Sequence, residues 1–289
     1  MTRILRTVTE TRAAIAELAA RAGAEPDKAR LALVPTMGAL HDGHRALIRL
    51  ARERAEIVIV SIFVNPLQFA PDEDLDRYPR TPEADLAVLE AEGVHAAFMP
   101  AVAEMYPDLE HVTTVSAGEA GRILEGEYRP THFDGVLTVV AKLFNIIRPD
   151  IAVFGEKDAQ QLALVRRMVR DLDFPLEIVA HPIVREADGL ARSSRNAYLG
   201  EEERGIALTL KRALDAVEAA APRGRDDAIA AGRAVYDAQA LASMDYLELV
   251  DAATFAPIDD TFAGEALALT AARIGTTRLI DNRPVAMRH

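Results

Sequence analysis

The stretch Val34-Pro35-Thr36-Met37-Gly38-Ala39-Leu40-His41-Asp42-Gly43-His44 carries the residue types best placed to do chemistry in this sequence. An apolar, strand-like run ends at Pro35, Gly38 opens a turn, and His41 and His44 arrive where a helix should begin. Glycine lets backbone approach a ligand closely. The start of a helix offers unpaired N–H groups and the positive end of its dipole, which suits phosphate. A histidine there can donate to an oxygen that gains charge during phosphoryl or nucleotidyl transfer. Two other readings stay open at this point: a glycine turn with two surface histidines, and a His-x-x-His metal pair, for which no third ligand stands nearby.

Four further groups are candidates. Asn65-Pro66-Leu67-Gln68-Phe69 follows an apolar run, and its two amides can read a hydroxyl and a carboxylate without adding charge; the alternative is an Asn-Pro turn with a solvated glutamine. In Gly155-Glu156-Lys157-Asp158, Lys157 can meet phosphates as a point charge, and Gln161 falls on the same helical face as Asp158. The alternative is a capped helix with a charged first turn. Arg192-Ser193-Ser194-Arg195-Asn196 combines hydroxyls with guanidinium groups, a phosphate clamp able to close over a triphosphate, or else a linker. Arg129-Pro130-Thr131-His132-Phe133 adds a cation and a histidine, with a structural turn and a satisfied core histidine as the plainer reading. Two phosphate signatures are missing. No Gly-x-Gly-x-x-Gly opens a helix, and Gly38 to Gly43 has P-loop spacing but is followed by His44-Arg45 rather than Lys-Ser/Thr.

These groups need a scaffold that brings the ends of several segments together. Strand-like and helix-like segments alternate through the first two thirds. Leu31–Val34, Ile57–Val64, Val94–Met99, Ile151–Phe154 and Leu176–Val184 read as strands, and His44–Ala55, Glu83–Glu92, Val136–Ile147 and Asp158–Leu172 as helices. Such alternation implies an α/β fold, a Rossmann-like parallel sheet with helices on both faces. Ligands then bind beyond the carboxyl ends of the strands, where the candidate groups fall. The texture changes near residue 185. Two alanine-rich helices, Glu201–Ala221 and Asp226–Leu241, precede three strand-like runs, Asp245–Val250, Ala266–Ala271 and Thr277–Asp281. The expected organisation is therefore 1–184, a ligand-binding Rossmann-like domain, and 185–289, a smaller C-terminal α+β domain closing over the site.

Composition narrows the function classes. The chain has 289 residues, is half hydrophobic and carries a formal net charge of −12. An acidic chain poor in aromatics is a weak candidate for nucleic-acid binding, so an anionic ligand needs a local site that overcomes the global field. Cysteine is absent, which removes disulfides, thiolate metal sites and thiol catalysis. The N-terminal segment does not read as a secretory signal, and no run is apolar enough to span a membrane. A cytoplasmic protein is the expectation.

Taken together, the Gly/His turn, the lysine after another strand and the Ser-Ser-Arg loop resemble the HIGH and KMSKS elements of the nucleotidyltransferase superfamily. The strings PTMGALHDGH, SIFVNPLQF, RPTHFDGV, FGEKDAQQL, DGLARSSRN and RIGTTRLIDN, in this order from about residue 35 to 282, resemble the pantoate–β-alanine ligase family more specifically. The resemblance implies condensation of pantoate with β-alanine through an enzyme-bound pantoyl adenylate, with Mg-ATP as substrate, AMP and pyrophosphate as products and no prosthetic group. It also implies a homodimer, with no nucleic-acid or membrane partner.

The implied roles fall on named positions. His44 would be the proton donor, with His41, Lys157 and Arg195 as further catalytic residues. Met37, Gly38, Ala39, Leu40, His41, Asp42, Gly43 and His44 would hold ATP, as would Gly155, Glu156, Lys157, Asp158, Arg192, Ser193, Ser194 and Arg195. Val184 would touch adenine through its backbone. Gln68 would bind pantoate and lie near β-alanine, Gln161 would bind pantoate, and Asn65 and Arg129 stand behind them. Metal ligands stay unknown: Asp85 could contact magnesium or be an exposed carboxylate on a helix face. Arg192 departs from the family pattern, which has an apolar residue or lysine before Ser-Ser-Arg. The rival readings are another HIGH-type nucleotidyltransferase, which would leave AMP joined to a phosphorylated substrate, and a nucleotide sensor without turnover.

Overall fold

The computed structural model describes residues 1–22, 29–71 and 73–288. The chain divides into two compact units, one of residues 1–156 and 161–182, the other of residues 157–160 and 183–289.

The first unit is built on six strands: β1 (Arg3–Leu5), β2 (Leu31–Thr36), β3 (Ile57–Ile62), β4 (Ala96–Phe98), β5 (Ile151–Gly155) and β6 (Glu177–His181). Their order is β1-β4-β3-β2-β5-β6, and every pair is parallel. The helices are α1 (Val8–Arg21), α2 (Asp42–Arg54), α3 (Pro82–Ala91), the short α4 (Val102–Met105) and α5 (Glu125–Tyr128), α6 (His132–Ile147) and α7 (Ala159–Asp171). Alternation along each strand explains why both faces are covered. Leu31, Leu33, Ile57 and Ile59 join one core with Val136, Val140 and Phe144 of α6 and Val165 of α7. Ala32, Val34, Val58 and Val60 face the opposite way, onto Ile48 and Ala51 of α2 and Leu89 of α3. A strand buried on both faces is apolar along nearly its whole length, which is the pattern of Ile57–Ile62, where Ser61 alone is polar.

The sheet runs outward from β2 in both directions: β3 and β4 to one side, β5 and β6 to the other. The switch between the two directions lies between β2 and β5, and an open parallel sheet binds its ligand beyond the carboxyl ends of the strands at such a switch. Met37–His44 follows β2, and Gly155 ends β5.

In the second unit α8 (Glu201–Ala220) and α9 (Arg225–Asp237) precede an antiparallel sheet of β7 (Ala242–Asp251), β8 (Gly264–Ile274) and β9 (Thr277–Met287), in that order. Its cores join Leu214 and Val217 of α8 and Ile229 of α9 with Leu247, Leu249, Ala268 and Val285 of the strands. The Tyr236 hydroxyl lies 2.7 Å from Thr270 Oγ1.

The Rossmann-like sheet with helices on both faces and the smaller α+β unit agree with the expectation from sequence. Two details differ. The three-residue strand β1, paired with β4, lies outside the segments that the apolar pattern marks as strands. The helix expected from Asp158 is preceded by a 3-10 turn, Glu156–Asp158, and begins at Ala159.

Candidate active site

The turn after β2 is held by a carboxylate. Gly38 and Ala39 both adopt positive φ, 87° and 49°. A Cβ on Gly38 would stand 2.9 Å from Asp85 Oδ2 and 3.1 Å from Ile62 Cγ2, so glycine is required twice over, by conformation and by space. Asp85, on α3, accepts from the Ala39 amide at 3.0 Å and the Leu40 amide at 2.8 Å, and the Thr81 hydroxyl donates to it at 3.1 Å. The residue is 2% exposed. Asp85 is therefore not the exposed helix-face carboxylate considered from sequence. It is a buried group whose two oxygens fold the turn, and it takes up the N–H groups of Ala39 and Leu40 that a phosphate would otherwise meet. Among the described residues no cluster of three or more His, Cys, Asp or Glu could hold a metal ion. Asp85→Ala leaves two amides and a hydroxyl short of an acceptor in a buried turn. We expect it to lower unfolding free energy by about 3 kcal/mol, with Asp85→Asn less damaging because one oxygen remains; denaturant titration measures both.

Helix α2 starts at Asp42, with His41 as its N-cap. His41 Nδ1 accepts from the Gly43 amide at 3.1 Å, and His44 Nδ1 accepts from the His41 amide at 3.3 Å. This is a capping box built from histidines in place of the usual Ser/Thr and Glu/Gln. The rings lie 4.1 Å apart at 33°. An Nδ1 that accepts from an amide places the proton of a neutral imidazole on Nε2. The local fold thus fixes His41 and His44 in the tautomer whose outer nitrogen is a donor.

A second turn, beyond β3, meets the first. Asn65 caps the 3-10 turn Pro66–Gln68. Its Oδ1 accepts from the Leu67 amide at 3.3 Å and the Tyr106 hydroxyl at 2.8 Å. Its Nδ2 donates to Gln68 Oε1 at 3.1 Å and the Gly135 carbonyl at 3.0 Å. A Cβ on Gly135 would fall 2.2 Å from the Leu67 carbonyl oxygen, so α6 reaches the turn only because residue 135 is glycine. Asn65 is 1% exposed and its polar atoms are used internally, a scaffold role. Gln68 Nε2 donates to Met37 Sδ at 3.2 Å, a weak acceptor, and this contact joins the Gln68 turn to the Gly/His turn.

Arg129 holds the same turn. It pairs with Glu73, at 2.8 Å from Nε to Oε1 and 2.5 Å from Nη2 to Oε2, and donates from Nη2 to the Gln68 carbonyl at 3.2 Å. His132 Nδ1 donates to that carbonyl at 3.0 Å, and its Nε2 lies 3.1 Å from Arg129 Nη1, whose N–H it accepts. Arg129 is thus an organiser of the Gln68 turn, and His132 is the satisfied buried histidine that the plainer sequence reading described. Burial, and then the Arg129 charge, push its pKa from 6.5 to about 4. In the unfolded chain the imidazole titrates near 6.5. Stability is therefore fully present above that pH and is lost as pH falls toward 4, by up to about 3 kcal/mol. Between about pH 7 and 5 the melting temperature should fall in the wild type and fall less in His132→Gln.

The second unit holds the other candidate cations. Lys157 Nζ lies 3.9 Å from Asp158 Oδ1. Ser193 caps the 3-10 turn Ser194–Tyr198, its Oγ accepting from the Arg195 amide at 3.3 Å. The Val184 carbonyl accepts from the Arg192 amide at 2.9 Å, and the Arg192 guanidinium lies 3.7 Å from Glu186 Oε1. Glu186 also pairs with Arg204 and accepts from Asn196 Nδ2 at 3.0 Å. Arg192, the residue that departs from the family pattern, is thus paired with a carboxylate at the base of its loop. Gln161 lies in the first turn of α7, in the first unit.

Residues 3–284 match the family model for pantoate-beta-alanine ligase. The chain belongs to the pantoate–β-alanine ligase family. A pantothenate synthetase from Thermobifida fusca is 59% identical over 271 residues, 91% of this chain and 92% of the relative. One from Acidothermus cellulolyticus is 54% identical over 98% of this chain and 91% of its own length. Among solved structures, a pantothenate synthetase from Thermus thermophilus superimposes with a TM-score of 0.89 at 47% identity, covering 98% of this chain and 99% of the other. The pantoate–β-alanine ligase of Francisella tularensis, solved in complex with β-γ ATP and β-alanine, gives 0.78 at 30% identity over 98% and 97%.

The family motifs accordingly cover the chemistry-bearing ends of β2, β3 and β5. Sequence reasoning missed the residues that hold them: Asp85 as a buried cap, Glu73, Tyr106 and Gly135. Only Gly135, in the motif RPTHFDGV, carries a visible signal, a glycine near the start of a mostly apolar helix.

Proposed function

We propose that the chain carries out its family's reaction in two steps at the sites described. A carboxylate oxygen of pantoate attacks the α-phosphorus of ATP, pyrophosphate leaves, and pantoyl adenylate stays bound. The β-alanine amine then attacks the acyl carbon, and the bridging oxygen leaves with AMP. The observation that carries this reading is the contact of Gln68 with Met37, which unites an amide-bearing turn with a turn bearing two Nε2–H donors. The amide suits the hydroxyls and carboxylate of pantoate without adding charge; the imidazoles suit phosphate oxygens that gain charge.

The nucleophile is already ionised, so the first step needs positioning and charge stabilisation rather than a strong base. His44 steadies the α-phosphate, His41 and the rest of Met37–His44 border the nucleotide, and Gly155, Glu156 and Asp158 border it from β5 onward. Lys157, Ser193, Ser194 and Arg195 neutralise the β- and γ-phosphates, with Arg192 beside them, and Val184 meets the adenine. Gln68 and Gln161 hold pantoate. Magnesium enters with ATP as part of the substrate and would supply charge neutralisation on its phosphates. A homodimer in the cytoplasm completes the proposal; no helix among the described residues is long and apolar enough to cross a membrane.

Heavy-oxygen-labelled pantoate tests the chemistry. Transfer of one label from the pantoate carboxylate into AMP is expected. Label-free AMP, or a stable dinucleotide product, would contradict the adenylate.

A further inference from the structure

The motif RIGTTRLIDN ends in two residues to which the chemistry above gives no task, Asp281 and Asn282. They lie on β9, whose neighbouring strand contributes Leu269 and Ala268 to the core. Successive residues of a strand point to opposite faces, so both faces of the sheet carry a buried polar group at this point. Asp281 is 4% exposed and Asn282 is 3% exposed. Burying polar groups is unfavourable unless they are bonded, and an antiparallel sheet does not need them.

Each has a definite partner within the second unit. Asn282 Nδ2 donates to the Lys157 carbonyl at 2.8 Å. Asp281 takes both arms of the Arg185 guanidinium, Nη1 to Oδ2 at 2.7 Å and Nη2 to Oδ1 at 2.9 Å. Arg185 also donates from Nη2 to the Asn282 carbonyl at 3.3 Å and from Nη1 to the Gly189 carbonyl at 3.1 Å. The Glu186 amide donates to the Leu190 carbonyl at 2.8 Å and the Arg192 amide to that of Val184 at 2.9 Å. Residues 184–192 thus form a closed arm whose far end leads directly into Ser193. One short segment of β9 grips the backbone that carries Lys157 and the arm that carries Ser193-Ser194-Arg195.

We propose that Asn282 and Asp281, the latter through Arg185, are positioning residues that set Lys157 and the Ser-Ser-Arg loop in register for the triphosphate. This rests on the ligase reading of Lys157. A lysine reaches phosphate on a flexible stem, so its backbone anchor decides where the ammonium spends its time. Displacements of the order of 1 Å at such groups lower rates by about a hundredfold. The brace acts on the step that expels pyrophosphate and leaves aminolysis of a preformed adenylate alone.

The test is a double-mutant cycle on the full-length protein. Asn282→Ala should lower kcat/KM for ATP in pantoate-dependent ATP–pyrophosphate exchange about tenfold or more. It should leave the pantoate KM and the conversion of supplied pantoyl adenylate with β-alanine near wild type. Combined with Lys157→Ala it should add little, because its effect runs through Lys157. Wild-type exchange in Asn282→Ala would overturn the proposal, as would equal losses in both half-reactions or losses that multiply with those of Lys157→Ala. If Asn282→Ala does not fold, Arg185→Lys, which keeps the charge but loses the two-armed grip, is paired instead with Arg195→Ala, the loop residue its effect runs through: non-additive losses confined to exchange are expected, and losses that multiply would overturn the proposal. A wild-type protein without pantoate-dependent exchange would instead contradict the ligase reading itself.

Discussion

His44→Ala should lose ATP–pyrophosphate exchange by roughly a hundred- to a thousandfold while remaining folded. The geometry behind this is the capping of α2. His44 Nδ1 accepts from the His41 amide at 3.3 Å, so the proton of the neutral ring belongs on Nε2, the nitrogen able to reach a phosphate oxygen. Alanine removes both the donor and the cap, and loss of the cap alone costs about 1 kcal/mol of stability. His44→Gln separates the two effects. Glutamine at this helical position is an ordinary capping-box residue and restores the acceptor for the His41 amide. Its stability should return to near wild type, yet an amide N–H is a weaker proton donor than an imidazole Nε2–H and is placed differently, so exchange should stay at least about tenfold down. Full recovery of activity in His44→Gln would reduce His44 to a cap.

Lys157→Ala should lower kcat/KM for ATP by roughly a hundred- to a thousandfold, the range seen when one group that stabilises developing charge is removed. In the first step, charge accumulates on the departing pyrophosphate, and the proposed function places Lys157, the lysine of the FGEKDAQQL motif, on those phosphates. The loss should be confined to that step. Supplied pantoyl adenylate has already lost its pyrophosphate, so its reaction with β-alanine should proceed near the wild-type rate. Lys157→Arg should recover little, since a planar fork does not replace a compact ammonium. Stability should hardly change, because the ammonium's pairing with Asp158 at 3.9 Å is partly exposed and of small value.

The legible parts of the sequence are the local ones. Ile57–Ile62 announces a strand buried on both faces because every residue but Ser61 is β-branched and apolar, and Gly38 announces a turn because little else tolerates its conformation. The C-terminal strands look shorter in the sequence than they are. β8 and β9 run eleven residues each, while apolar patterning marks only the middle of β8 and the first half of β9. β1 escapes notice because three residues carry almost no periodic signal, and its pairing with Ala96–Phe98 is a long-range choice.

The candidate site divides in the same way. His41, His44, Gln68 and Lys157 stand in motifs where residue type and position speak together. Asp85 does not: on α3 it reads as one more surface acid, and only the two amides of a turn 45 and 46 residues earlier explain its burial. Arg129 reads two ways for the complementary reason. A lone arginine in a polar turn suggests a substrate cation, but Glu73 at 2.5 Å and the Gln68 carbonyl at 3.2 Å make it part of the scaffold. Partners brought together by folding are invisible to spacing arguments, and most of the positioning network consists of such pairs.

In the proposed reaction one site joins an ATP-derived adenylate of pantoate to β-alanine. Pyrophosphate release from Mg-ATP, with pantoate present and β-alanine either supplied or withheld, tests it most directly. Sustained release that requires both substrates, with AMP and pantothenate formed in equal amounts, is the expected result. No pantoate-dependent release from a folded protein that binds ATP would contradict it.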